Sequence, residues 1–207
     1  MGAREELEER FSALGELKEL LAHTVLSDAD FMALLAIHRA GAASARAVAE
    51  ALGYSPATTS RCLRRLAALD LIEEEVDKAD RRRLVLSLSN SGGNVVFDIE
   101  RTLGHDRVAA AFDFFSQLHR GAAESRATLG VPVSATEQGI VAVLSLADRP
   151  IRIGELARNC RLAQSKASMA VRALARKGVV VLSSVSDRRG CAVELGKQAA
   201  ETLNMHQ

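Results

Sequence analysis

Apolar residues recur at helical spacing along most of this chain, and twice the spacing drops to that of short strands. Leu7, Phe11, Leu14, Leu17 and Leu21 stand three or four apart, which predicts one amphipathic helix over residues 3–23. Ser27 and Asp28 start a second helix, expected to carry Phe31, Leu34, Leu35 and His38 on its inner stripe and to stop at Gly41. A short helix follows, with Val48, Ala51 and Leu52 inward and Gly53 as its stop. Ser55 before Pro56 joins an N-cap hydroxyl to a proline at the first helical position. The helix they open runs to about Asp70. It is expected to bury Cys62, Leu63, Leu66 and Leu69 and to turn Thr58, Thr59, Arg61, Arg64 and Arg65 to other faces. β-Branched and leucine-rich runs at 71–76 and 83–88 then read as two strands around the loop 77–82.

The same pattern returns about 107 positions later. Residues 163–195 repeat the polar helix start, the basic striped helix, the strand, an Asp-Arg-Arg and the second strand of residues 55–88. Helices are expected near 134–147, 152–160 and 163–177, with strands near 179–184 and 191–195. Between the copies, Val95, Ile99, Val108, Phe112, Phe115, Leu118 and Ala122 predict one or two long helices, with a break at Gly104. Helix, helix, turn, helix, hairpin is the order of a winged helix-turn-helix. The expected fold is mainly α with small β-hairpins as wings: two winged helix-turn-helix domains joined by long helices. The expected organisation is an N-terminal amphipathic helix (1–25), a first winged helix domain (26–92), linking or dimerisation helices (93–130), a second winged helix domain (131–196) and a C-terminal helix (197–207).

Composition narrows the function classes. An apolar fraction of 48% suffices for a core, while the net charge of +1 gives no general polycation. The charge is unevenly placed, however. Residues 1–30 hold eight acids against three bases, and residues 149–197 hold eleven bases against three acids. A local basic excess is an electrostatic footprint for a polyanion, although a solvated helix face has the same composition. The N-terminus is acidic and unlike a signal peptide, and no apolar run approaches the roughly 18 residues of a membrane span, so a cytoplasmic location is expected. Cys62, Cys160 and Cys191 form no CxxC, and the five histidines form no HxxxH or HExxH pair. Neither a metal site nor any other cofactor is expected. No Gly-rich phosphate loop and no acid–base or nucleophile constellation is present. An enzyme is therefore not expected.

The hairpin motifs carry a resemblance. Asp80-Arg81-Arg82 followed by Leu88-Ser89-Asn90-Ser91-Gly92 resembles the wing signature of the MarR family of bacterial regulators, an Asp-x-Arg and then a Leu-Thr/Ser-x-x-Gly turn into a dimerisation helix. The resemblance covers residues 26–100 well and 133–195 more loosely. The second copy keeps Asp187-Arg188-Arg189 but has Leu195-Gly196-Lys197-Gln198 at the turn. It implies a transcriptional regulator that binds double-stranded DNA, with a small aromatic effector as a further implied ligand. It also implies that Arg82 and Arg189 reach the minor groove, with Asp80 and Asp187 holding them in place.

Helix N-terminal residues face base edges in such folds. The reading candidates are therefore Thr58, Thr59, Ser60 and Arg61 in the first copy, and Ser165, Lys166, Ser168 and Arg172 in the second. Arg81, Arg82, Arg188 and Arg189 are the wing contacts. Arg64 and Arg65 read as phosphate contacts or as ion-pair partners of Glu73, Glu74 and Glu75. Cys62 reads as core. Phe112, Phe114 and Phe115 could line an effector pocket or be plain core. A chain with two such domains could act as a pseudo-dimeric monomer or form a homodimer. Two other uses of tandem winged helices stay open: a protein-binding scaffold of the segregation and condensation type, and a plasmid replication initiator.

Overall fold

Helices and two small antiparallel sheets make up residues 2–76, 84–184 and 191–204, the residues that the computed structural model describes. The chain divides into two units, Ala13–Gln117 and Met1–Ser12 with Leu118–Gln207. The division points fall inside two long helices, α1 (Ala3–Leu21) and α6 (His105–Thr128).

In the unit Ala13–Gln117, α2 (Asp28–Ala40) is the central helix. Its capping box is reciprocal. The Ser27 hydroxyl accepts from the Asp30 N–H at 3.2 Å, and the Asp30 carboxylate accepts from the Ser27 N–H at 3.1 Å. Every residue from Phe31 to Ile37 is buried, as expected of a helix enclosed on all sides. His38, expected on the inner stripe, is exposed instead, because only residues up to Ile37 lie under neighbouring elements.

Next come α3 (Ala45–Leu52) and α4 (Pro56–Ala68). Ser44 and Ser55 cap these helices through the N–H groups of Ala47 and Thr58, and Gly53 ends α3 at φ 66°. Cys62, Leu63 and Leu66 are buried as expected, while Leu69 is only half-buried. The hairpin strands are β1 (Ile72–Val76) and β2 (Leu84–Leu88), paired from Ile72 opposite Leu88 to Val76 opposite Leu84. Ala43 bridges Leu86 on the far side of β2.

After the hairpin, α5 (Asn90–Leu103) starts at Ser89, whose hydroxyl accepts from the Gly92 N–H and donates to the Asp70 carbonyl at 2.6 Å. A Cβ at Gly92 would stand 2.0 Å from the Leu71 carbonyl oxygen. That closeness explains physically why the turn needs glycine. Gly104, at φ 88°, separates α5 from α6 as the sequence predicts. On α6, Phe112, Phe114 and Phe115 are buried. Tyr54 meets Phe115 edge-on at 6.1 Å, and the Arg39 guanidinium lies 4.3 Å over the Phe112 ring.

In the other unit, α7 (Ala135–Ser145), α8 (Ile153–Asn159) and α9 (Gln164–Arg176) precede β4 (Val180–Ser184) and β5 (Cys191–Leu195), and α10 (Lys197–Asn204) follows. A two-residue strand absent from the sequence reading, β3 (Ile151–Arg152), adds to β5 and makes a sheet of order β3-β5-β4. Ser134 and Glu137 form a second reciprocal capping box at the start of α7. Lys177, just past α9, reaches both Glu137 oxygens at 2.7 and 2.9 Å. Burial alone would raise the Glu137 carboxyl. The Lys177 ammonium and the Ser134 donors outweigh it and hold the group below its usual range.

Candidate nucleic-acid interface

Each unit presents one helix, α4 or α9, on a similar hydrogen-bonded frame. The turn into α4 is closed by the Tyr54 N–H donating to the Ala49 carbonyl; the turn into α9 is closed by the Leu162 N–H donating to Ala157. At the far ends, Leu71 N–H donates to Leu66 and Val179 N–H to Leu174, both at 3.0 Å. The residue at each second chain reversal has positive φ, Asp70 at 54° and Gly178 at 73°. The exit from each hairpin is pinned by Ser89 N–H to Leu71 and by Gly196 N–H to Val179. The third-strand contact also recurs, as Ala43 on Leu86 and Ile151 on Val193.

On α4, Ser60, Arg61 and Arg64 are exposed. Thr58 is half-buried and shares a 3.0 Å hydrogen bond with the Ser55 hydroxyl. Thr59 does not face outward as expected. It is 2% exposed and donates its hydroxyl to the Ser55 carbonyl at 3.1 Å, so that hydroxyl serves the helix start. Ser60, Arg64 and Pro56 line an open cleft with Ala45, Arg46 and Ala49 of α3, and Glu74 of β1 stands at its edge. Arg46 pairs with Glu50 at 2.7 Å, a hydrogen bond that keeps its guanidinium charged.

Arg65 pairs with Asp30 rather than with Glu73, Glu74 or Glu75. Its guanidinium lies 3.4 Å from Asp30 and donates to the Val25 carbonyl at 2.7 Å. It thereby serves the buried acid of the α2 capping box. Glu73, Glu74 and Glu75 are exposed on β1.

On α9, Ser165, Lys166 and Arg172 are exposed and Ser168 is half-buried. The N-cap Ala163 has no side chain to accept from the first N–H groups, which leaves them available to an anion. Arg176 of α9 is exposed as well, as are Arg152, Arg158, Arg161 and Lys197 elsewhere in the unit. The six wing candidates, Asp80, Arg81, Arg82, Asp187, Arg188 and Arg189, lie outside the described residues.

Two features lie outside the residues singled out from sequence. The Ser134-to-Glu137 capping box was signalled by a hydroxyl three residues ahead of an acid before an apolar run. Met169, exposed among the polar residues of α9, was masked by its hydrophobic type. Cys62 and Cys160 are buried. Desolvation, aided for Cys62 by the nearby Asp30, pushes their thiols up to about 11 and about 12, which makes both poor nucleophiles. Among the described residues no group of three or more His, Cys, Asp or Glu is placed to hold a metal ion. No helix among them is long and apolar enough to cross a membrane.

No curated protein matches this chain. Solved structures similar to it include a cysteine-to-serine mutant of MarR from E. coli, at 20% identity over 48% of this chain and 74% of that one, with a TM-score of 0.43. A mutant of MepR from S. aureus, bound to an oligodeoxyribonucleotide, is 22% identical over 47% and 72% of the two chains, with a TM-score of 0.42. BpsR from Bordetella bronchiseptica, described as regulated in its DNA binding by 6-hydroxynicotinic acid, is 23% identical over 52% and 74%, with a TM-score of 0.41. The model of the MarR family matches residues 26–83, a stretch that holds α2, α3, α4 and β1.

Proposed function

We propose that this chain is a sequence-specific transcriptional regulator that binds double-stranded DNA through two winged helix units. In this reading α4 and α9 are the recognition helices, each entering a major groove with its N-terminal half. Arg61, Arg64, Lys166 and Arg172 supply contacts from the helices, and Arg81, Arg82, Arg188 and Arg189 supply contacts from the hairpins, with Asp80 and Asp187 as supports. The repeated backbone frame under α4 and α9 carries the reading, because it sets two exposed, polar, basic helix faces on the same local scaffold. The match of residues 26–83 to the MarR family model supports it for the first unit. The two faces differ in their side chains, so the site is an imperfect inverted repeat.

Selection of bound duplexes from a random library tests this, with the wild type beside an Arg82→Ala/Arg189→Ala variant. Enrichment of a gapped imperfect palindrome by the wild type and its loss in the variant is the expected result. The same weak, featureless pool from both proteins would contradict the proposal.

A further inference from the structure

The frames that hold α4 and α9 also fix which residues correspond. Leu66 and Leu174 are fully buried and accept the same hydrogen bond, from Leu71 and Val179. Counting back from these anchors, Leu63 matches Val171 and Thr59 matches Ala167, and all four are buried. Two residues before the anchor stand Arg64 and Arg172, both exposed. Five residues before it stand Arg61 and Met169, also both exposed. The two helices therefore present a guanidinium and a thioether at one structural position.

Single exposed apolar side chains are ordinary on protein surfaces, so the inference rests on this register. Met169 is 64% exposed. It lies four residues after Ser165 and three before Arg172, on the same face of α9 as these two exposed polar side chains. A major groove offers one apolar feature at that level, the C5-methyl of thymine, whereas an arginine there pairs bidentately with guanine O6 and N7. The long, flexible methionine side chain can follow a methyl group that a shorter residue would miss.

We propose that Met169 is a specificity-determining residue that packs on a thymine C5-methyl in its half-site, where Arg61 reads a guanine in the other. This rests on the DNA-reading function above. It makes the operator asymmetric at one defined pair of positions.

The test uses the duplex recovered by selection with the wild-type protein, with each thymine replaced in turn by uracil, which removes only the methyl group. One thymine in one half-site is expected to matter, its replacement weakening wild-type binding about three- to fivefold, the value of one buried methyl. Met169→Ala is expected to bind the thymine and uracil duplexes equally, and Met169→Arg to prefer guanine at that position. If no single replacement weakens binding, or the loss persists in Met169→Ala, the role of Met169 is overturned while DNA reading stands. If the wild type recovers no duplex at all, the DNA-reading function falls and this inference falls with it.

Discussion

Arg64 and Arg65 are adjacent in sequence and opposite in use. Arg65, itself exposed, reaches down to Asp30, which is 3% exposed, and to the Val25 carbonyl; Arg64 lines the α3–α4 cleft. Arg65→Ala is therefore expected to cost about 1–2 kcal/mol of stability in denaturant unfolding, since a buried carboxylate loses its cation. Arg64→Ala should leave stability unchanged and weaken DNA binding uniformly across sequences, lowering the salt-dependence slope by about one. Nothing in the sequence separates these neighbours. Their fates depend on where the N-terminus of α2 lies, a tertiary fact. Thr59 misled for a related reason, because a threonine one turn into a helix can satisfy its hydroxyl on the preceding turn and then be buried at little cost.

At the scale of elements, the long helices, the break at Gly104 and both hairpins were legible, because each carries a period or a cap that local chemistry enforces. β3 was not, since two residues are too few to show alternation; it exists because β5 offers it an edge. The Leu-Ser-x-x-Gly turn was readable as a motif, but its cause is structural. With the Leu71 carbonyl packed against Gly92, Gly92→Ala is expected to destabilise the first unit by about 3 kcal/mol, measured by chemical denaturation.

The link between α9 and the α7 capping box makes a pH-dependent prediction. Glu137 is held below its ordinary value of 4.5, so its contribution is complete above that pH and is lost as pH falls through the lowered native value. Lys177→Met should cost about 2 kcal/mol near pH 7, measured by denaturant unfolding, with a smaller difference from wild type near pH 3.

For the whole molecule, the two candidate reading faces are electrostatically unequal. The cleft beside α4 is lined in part by Glu74, and Glu73 and Glu75 are exposed on the same strand, whereas the charged residues of α9 itself, Lys166, Arg172 and Arg176, are all basic and exposed. The second unit should therefore supply more phosphate affinity and the first more of its discrimination through Arg61. In sequence, the proposal of a repeat rests on the Asp-Arg-Arg that recurs at residues 80–82 and 187–189. The inequality of the faces was only half legible, because Met169 shows its place only once buried leucines align the helices. The central claim is that one chain reads DNA with two different helices. The direct measurement is duplex selection with two variants side by side, Arg61→Ala/Arg64→Ala and Lys166→Ala/Arg172→Ala. The account predicts that each variant erases a different half of the wild-type motif and leaves the other half readable. Loss of the same half by both variants, or an unchanged motif from either, would contradict it.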